Sequence, residues 1–255
     1  MPDVTTPGAA DFDEWYSSMA ASPRRDEIVQ RVLGLPPELH STSLLGWAAI
    51  AEVTAALDLQ TDRILLDLAC GRGGYGLEIA RRTGALLIGV DFSKVAIEQA
   101  KRQAEAFGLA HRAEFRVGEL TATGLDDASV DAIVCVDAIQ FAEPVVAGLA
   151  ECRRVLAPGG RLVLTSWETS GDDESLPQRL RDLDLSSDLA AAGFVSIWVA
   201  YKPGWGAVER ELWQEAIALD AGDDAALQQM QDEAKQTMTY FAALRRAFAI
   251  AEAPA

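Results

Sequence analysis

The sequence predicts an α/β fold built on a doubly wound, mostly parallel sheet. Two observations carry this. Short, continuous apolar runs recur between residues 64 and 167, each ended by a turn signal, and they are too uniformly apolar for strands wet on one face. Helical patterns separate them at the intervals of βαβ units, whose right-handed crossovers lay helices on both faces of a parallel sheet.

Taken in order, the first 60 residues read as a helical cap. Pro23 to Leu33 is amphipathic and stopped by Pro36-Pro37, and Ser41-Thr42-Ser43 offers N-caps for a helix reaching Leu57. ILLDLAC (64–70) is a first buried strand ended by glycines. Leu77 to Arg82 is a short helix closed by Gly84, and ALLIGVDF (85–92) is a second strand. Ser93 caps a helix running to Gly108. AEFRVGEL (113–120) alternates as a third strand, and VDAIVCVDAI (130–139) is a fourth. A helix over Val145 to Leu156 and a turn at Pro158-Gly159-Gly160 lead into RLVLTSW (161–167), the fifth. Beyond it, DLSSDLAAAGF (184–194) reads as a helix, VSIWVAY (195–201) as a strand and LRRAFAIAEA (244–253) as the last strand. Residues 1–60 are thus expected to form a cap or lid and 61–255 the core, with a helical insert near 203–243 over the substrate side.

Composition narrows the function classes. The 255 residues, 49% of them hydrophobic, are enough for one large core. Lys and Arg number 22 against 39 Asp and Glu, a formal net charge of −17, so the clustered cations that displace counterions from a duplex are missing on average. No nucleic-acid partner is expected. No apolar run approaches the roughly 18–20 residues of a spanning helix, and the acidic N-terminus lacks a signal-peptide pattern, so no membrane partner is expected either. Cys70, Cys135 and Cys152 make an odd count without a CxxC pair, which fits a reducing cytoplasm. His40 and His111 lie far apart with no zinc-ligand spacing, and no metal is expected. Eighteen arginines against four lysines in an alanine-rich chain fit a GC-rich bacterial genome. A monomer or homodimer is expected.

The most informative segment is Asp67-Leu-Ala-Cys-Gly71-Arg-Gly73-Gly74-Tyr-Gly76, between the first strand and the first helix of the sheet. Glycines there let backbone approach a ligand beyond the carboxyl ends of the strands. Gly71, Gly73 and Gly76 also satisfy G-x-G-x-x-G, and Asp91 follows the second strand as a ribose-binding acid would, so a nicotinamide-dependent oxidoreductase stays open at this point. A glycine-rich turn without a ligand is the plainer alternative.

Four features together pull away from the dinucleotide reading: Asp67 ahead of the glycines in D-x-A-x-G-x-G, Gly-Val-Asp91-Phe92-Ser93 at the second strand, Gly118-Glu119-Leu120 at the third, and Arg153-Arg154-Val-Leu-Ala-Pro-Gly159-Gly160 before the fifth. Over residues 60–168 the chain resembles the class I S-adenosylmethionine-dependent methyltransferases, in the bacterial small-molecule branch that includes the ubiquinone/menaquinone type. The resemblance implies a Rossmann-like, seven-stranded sheet whose last strand is antiparallel. It implies S-adenosyl-L-methionine as cofactor, S-adenosyl-L-homocysteine as product and a small molecule as methyl acceptor. Asp67, Ala69, Gly71 and Gly73 match the loop holding the cofactor's methionine moiety, with Ala69 standing where the family commonly has glycine. Asp91 matches the acid that takes both ribose hydroxyls, and Phe92 would lie against the adenine. Glu119, where aspartate is more usual, would accept from the adenine amino group, Leu120 would offer a backbone amide, and Asp137 would face the amino-acid end.

Methyl transfer from a sulfonium is an in-line displacement in which the cofactor brings the activation, so no triad or carboxylate pair is required. The substrate side is expected to draw on aromatic residues suited to a flat organic molecule: Trp15, Tyr16, Trp167 and Trp205, with Trp47 and Trp213 as further candidates. Gln140, after the fourth strand, is expected to orient the acceptor. His40, in a loop between the Pro-Pro break and a helix, is the candidate general base. A homologue of this fold that binds the cofactor without methylating, such as a cyclase or a regulatory module, is the alternative from another class.

Overall fold

The structure, a computed structural model, describes residues 8–171 and 176–255; residues 1–7 of the expected cap lie outside them. The strands are β1 (Ile64–Leu68), β2 (Leu86–Asp91), β3 (Ala113–Val117), β4 (Val130–Val136), β5 (Leu156–Thr169), β6 (Val195–Tyr201) and β7 (Leu244–Glu252). They form one sheet in the order β3-β2-β1-β4-β5-β7-β6. β1 is central, pairing in parallel with β2 through Leu66↔Ile88 and with β4 through Leu66↔Ile133. β7 runs antiparallel to both β5 and β6, so the expected last antiparallel strand is inserted between two others.

The helices are α1 (Ala9–Ala20), α2 (Pro23–Leu33), α3 (Trp47–Leu57), α4 (Gly74–Thr83), α5 (Lys94–Ala106), α6 (Val145–Val155), α7 (Gln178–Arg181), α8 (Leu185–Ala191), α9 (Pro203–Ala218) and α10 (Ala225–Tyr240). Continuous apolar runs put neighbouring residues on opposite faces of a sheet covered on both sides. Leu65, Leu87 and Val134 face one buried cluster, while Leu66, Ile133 and Cys135 face another with Leu149 and Cys152 of α6. The first cluster also holds Ile28, Val29 and Leu33 of α2, Ile50 and Val53 of α3, Leu212 of α9 and Met230 of α10. The cap therefore shares the core of the sheet rather than resting on it.

Three elements differ from the sequence reading. β3 stops at Val117, because Glu119 and Ala122 exchange both backbone hydrogen bonds in a tight turn. α3 begins at Trp47 behind Gly46, and the hydroxyls upstream are used elsewhere: Ser43 Oγ donates to the Val136 carbonyl at 3.2 Å, and Ser41 Oγ accepts from Ser43 N at 3.3 Å. β5 runs straight through Gly159-Gly160, where the pairing with β4 shifts register between Val130 and Ala132.

Candidate active site

The carboxyl ends of β1, β2 and β4 meet below α1, and the glycine loop turns there. Asp67, 3% exposed, accepts a hydrogen bond from Gly76 N at 3.1 Å, which pins the loop to the start of α4. Burial pushes its carboxyl up to about 7, against the pull of the Gly76 amide. Gly71 and Gly73 hold φ of 51° and 80°. A Cβ on Gly73 would stand 3.1 Å from both Ala100 and Phe115, and one on Gly71 would stand 2.8 Å from the Tyr16 hydroxyl. Side chains are excluded here, so backbone lines the cradle. Ala69 takes the same left-handed region at φ 58°, which costs a residue with a Cβ about 1 kcal/mol.

Asp91 ends β2 inside this cradle. Its Oδ2 accepts from Gly71 N at 2.8 Å and its Oδ1 from Ser93 N at 2.9 Å. Burial raises the carboxyl to about 6, and these two amides hold it from rising further. Each oxygen keeps a second lone pair, so the carboxylate can take two hydroxyl donors while staying tied to the loop. Phe92 is half-buried, with the Phe12 ring 5.0 Å away. Glu119 is exposed and Leu120 half-buried just beyond β3, so these two border the site from outside.

α1 closes over this end of the sheet. Asp13 accepts from Ser93 Oγ at 2.5 Å and from Val95 N at 3.3 Å, serving as an N-terminal cap for α5 from a distant helix. Tyr16 is buried against Gly71 rather than placed on an acceptor face. Burial and the nearby Asp91 raise its hydroxyl well above the usual tyrosine range. Trp15 remains half-buried, edge-on to Phe12 at 5.7 Å.

Asp137 follows β4 with φ 57°. Its side chain is fully engaged: Oδ1 accepts from Thr165 Oγ1 at 2.6 Å and pairs with Arg246 Nη1 at 2.9 Å, and Oδ2 accepts from Leu44 N at 3.4 Å. What it can offer a ligand is therefore backbone. Arg246, which the sequence reading missed, lies 4.3 Å over the Trp167 ring and 3.8 Å from Glu209. Glu209 in turn accepts from Trp167 Nε1 at 2.9 Å and Trp213 Nε1 at 3.2 Å, and its carboxyl is raised by burial against the pull of Arg246. The signal was present, since Arg246 shares the inward parity of Phe248 and Ile250.

Other expected site residues are not gathered here. Gln140 Nε2 donates to the Asp137 carbonyl at 2.7 Å and its Oε1 accepts from Ser166 Oγ at 2.9 Å, so the buried amide ties the end of β4 to β5. Trp205 donates to Glu52 at 3.2 Å and packs 5.3 Å from Phe248, on the α3 side of the sheet. His40 Nδ1 meets Asp26 at 2.9 Å, and its ring faces a separate groove with Glu38, Arg72 and Arg102. Among the described residues no group of three or more His, Cys, Asp or Glu could hold a metal, and no helix is long and apolar enough to cross a membrane.

With the parallel sheet, its glycine cradle and the acid ending β2 in place, residues 65–160 match the family model described as a methyltransferase domain. Over 157 residues the chain is 36% identical to a demethylmenaquinone methyltransferase of Deinococcus radiodurans, covering 60% of this chain and 59% of that protein. The chain thus spans less than two thirds of that relative's length. Among solved structures, phosphoethanolamine N-methyltransferase 2 of Haemonchus contortus, in complex with phosphomonomethylethanolamine and S-adenosylhomocysteine, superposes with a TM-score of 0.76 at 19% identity. That match covers 96% of this chain and 60% of that one. The [4+2]-cyclase SpnF superposes with a TM-score of 0.74 at 22% identity, over 98% and 97% of the two chains. At these identities the likeness is one of fold.

Proposed function

We propose that the chain transfers the methyl group of S-adenosylmethionine to a small organic acceptor, in the biosynthesis of a bacterial metabolite in the cytoplasm. One observation carries the reading: a buried carboxylate, Asp91, ends β2 against a loop of positive-φ glycines whose added Cβ atoms would clash. That cradle fits a ligand bearing a vicinal diol and a zwitterionic tail. When bound, S-adenosylmethionine supplies a methyl group already activated on a sulfonium. The protein's part is to hold and to exclude water: Asp91 takes the diol, the Gly71–Gly73 backbone lines the tail, and Phe12 against Phe92 closes the mouth. Binding is tested by melting the protein with S-adenosylhomocysteine and with NAD. The first should raise the Tm and the second should not.

The whole-length likeness to a cyclase favours a second reading, in which the cofactor is held and no methyl is transferred. Mass spectrometry of reaction mixtures separates the two, since only methyl transfer converts the cofactor to its homocysteine product and adds a methylene mass to the acceptor.

A further inference from the structure

A groove separate from the cradle opens between α5 and the segment that joins α2 to α3. It measures about 310 Å³, at the lower end of the range for small-ligand sites, and Arg72, His40, Gln99, Gln103, Arg102 and Glu38 line it. Three of these are polar side chains more than nine-tenths buried: Arg72 is 8% exposed, Gln99 9% and Gln103 7%. The remaining lining residues, Ala20 and Ala106, are exposed, so an apolar body finds no wall to bury against.

The inner wall is cationic and incompletely partnered. Arg72 engages Asp26 through Nη1 at 2.8 Å, and its other guanidinium nitrogens have no protein acceptor among the described residues, though neither is sealed from water. Asp26 holds His40 Nδ1 at 2.9 Å on its other oxygen. One carboxylate thus fixes both side chains from behind and leaves the far imidazole nitrogen, Nε2, without a partner. Arg102, exposed at the rim, has no hydrogen bond or ion pair among the described residues, and neither has Glu38, the one acid lining the groove. Gln99 Nε2 donates to the Tyr16 carbonyl at 3.0 Å, while its Oε1 is a buried acceptor with no donor. Such an atom costs folding free energy unless a bound molecule supplies the donor. In a chain of net charge −17, two arginines and a histidine against one acid mark this groove out.

We propose that the groove is a second ligand site, taking a small hydroxylated oxyanion, a phosphate ester or a carboxylate. Its anionic group meets Arg72 and Arg102 beside His40, and its hydroxyls donate to Gln99 and Glu38. A planar guanidinium receives an oxyanion through two parallel N–H bonds, which a neutral polyol cannot accept with comparable strength. The occupant is distinct from the cofactor and from the methyl acceptor, since neither Asp91 nor Phe92 lines the groove. It reaches the cradle through one residue, Arg72, which stands between Gly71 and Gly73.

The test reads the imidazole C2–H lines of the full chain by proton NMR. There are two such lines, because His40 and His111 are the only histidines, and His111→Asn assigns them. Glycerol 3-phosphate, glycerate and glycerol are each titrated at constant ionic strength. One of the two anions should shift the His40 line saturably and leave the His111 line in place, and the better anion identifies the head group. Glycerol should not shift it at ten-fold the concentration. Arg102→Gln, at an exposed position, should raise the Kd of that anion about five-fold or more. The shift should persist with S-adenosylhomocysteine in excess, because the groove and the cradle are separate. No saturable shift with either anion, an equal shift with glycerol, an unchanged Kd in Arg102→Gln, or loss of the shift on adding S-adenosylhomocysteine overturns the proposal.

Discussion

Arg246 and Asp137 pair at 2.9 Å with 1% and 2% of their side chains exposed, and they join β7 to β4, strands that do not touch in the sheet. Glu209 of α9 approaches the same guanidinium at 3.8 Å, so three elements converge on one cation. Removing one partner of a buried pair leaves the other charged and unsolvated. Arg246→Met should therefore lower unfolding stability by about 3–5 kcal/mol in urea titrations. The double variant with Asp137→Asn should recover a good part of that loss. A double variant as unstable as the single would mean that packing on Trp167, not charge, is what Arg246 supplies.

Asp67 gives a pH signature with a definite sign. Its folded-state carboxyl is raised to about 7 by burial, above the ordinary range near 4, so the folded chain binds a proton at higher pH than the unfolded one. This contribution is fully present at low pH and is lost as pH rises through about 7. Asp67→Asn keeps an acceptor for Gly76 N and removes the charge. It should gain about 4 kcal/mol relative to the parent at about pH 8, and almost nothing near pH 4. Melts of both proteins across that window check this, and parallel curves would show that Asp67 is not the titrating group.

Gly71→Ala probes the cradle. The residue must keep φ 51°, and its new Cβ would stand 2.8 Å from the Tyr16 hydroxyl and 3.0 Å from Thr42 Oγ1. Strain of this kind costs about 1–2 kcal/mol. Calorimetry should show S-adenosylhomocysteine binding weakened about ten-fold or more, since the loop moves with Tyr16. Adding Tyr16→Phe removes the nearest atom and should restore part of the affinity. Unchanged binding in Gly71→Ala would remove the loop from the site.

The parts of this architecture that were legible in the sequence are those set by local pattern. β1, β2 and β4 are bounded within a few residues because a strand buried on both faces must be continuously apolar. Asp91 was placed because the end of β2 is fixed by the run before it. Contacts between distant residues were not legible. Asp13 caps α5 from 80 residues away, and Arg246 reaches Asp137 across 109. Nothing in either local pattern names its partner. The same holds for Gln140: its position after β4 is readable locally, but the partners of its two amide ends are ones only the folded sheet supplies.

His40 can be removed from or kept in the chemistry by one variant. It pairs with Asp26 at the groove side of α2, and Asp26 also holds Arg72 of the glycine loop at 2.8 Å. A positioning role predicts that His40→Ala keeps kcat within about three-fold and costs about 1 kcal/mol of stability, the scale of one lost hydrogen bond. A general base predicts a fall of about a hundred-fold in kcat and a changed pH profile. We expect the first outcome; the second would show that the loop at residue 40 swings to the cradle during turnover.

The cap separates into two parts with different consequences. α1 contributes Tyr16, Met19 and the Asp13 cap, and its small cluster with Ala96 is distinct from the main core. Losing it costs about 1.5–3 kcal/mol for each of two side chains and about 1 kcal/mol for the cap, within reach of a domain stable by about 5–15 kcal/mol. Removing residues 1–20 should leave a cooperative thermal transition but sharply weaken S-adenosylhomocysteine binding, because Tyr16 and Phe12 leave the Gly71 and Phe92 sides of the cradle. If residues 1–60 were a lid over a self-contained core at 61–255, loss of residues 1–35 would also spare the sheet. The structure reverses that expectation, since Ile28, Val29, Leu33 and Leu35 belong to the same buried cluster as Leu65 and Leu87. Their loss amounts to about 6–12 kcal/mol of burial on top of α1, which should exceed the stability of the fold. Circular dichroism melts of the two truncations test this directly: a 36–255 chain melting as cooperatively as the parent would show that α2 is a detachable lid after all.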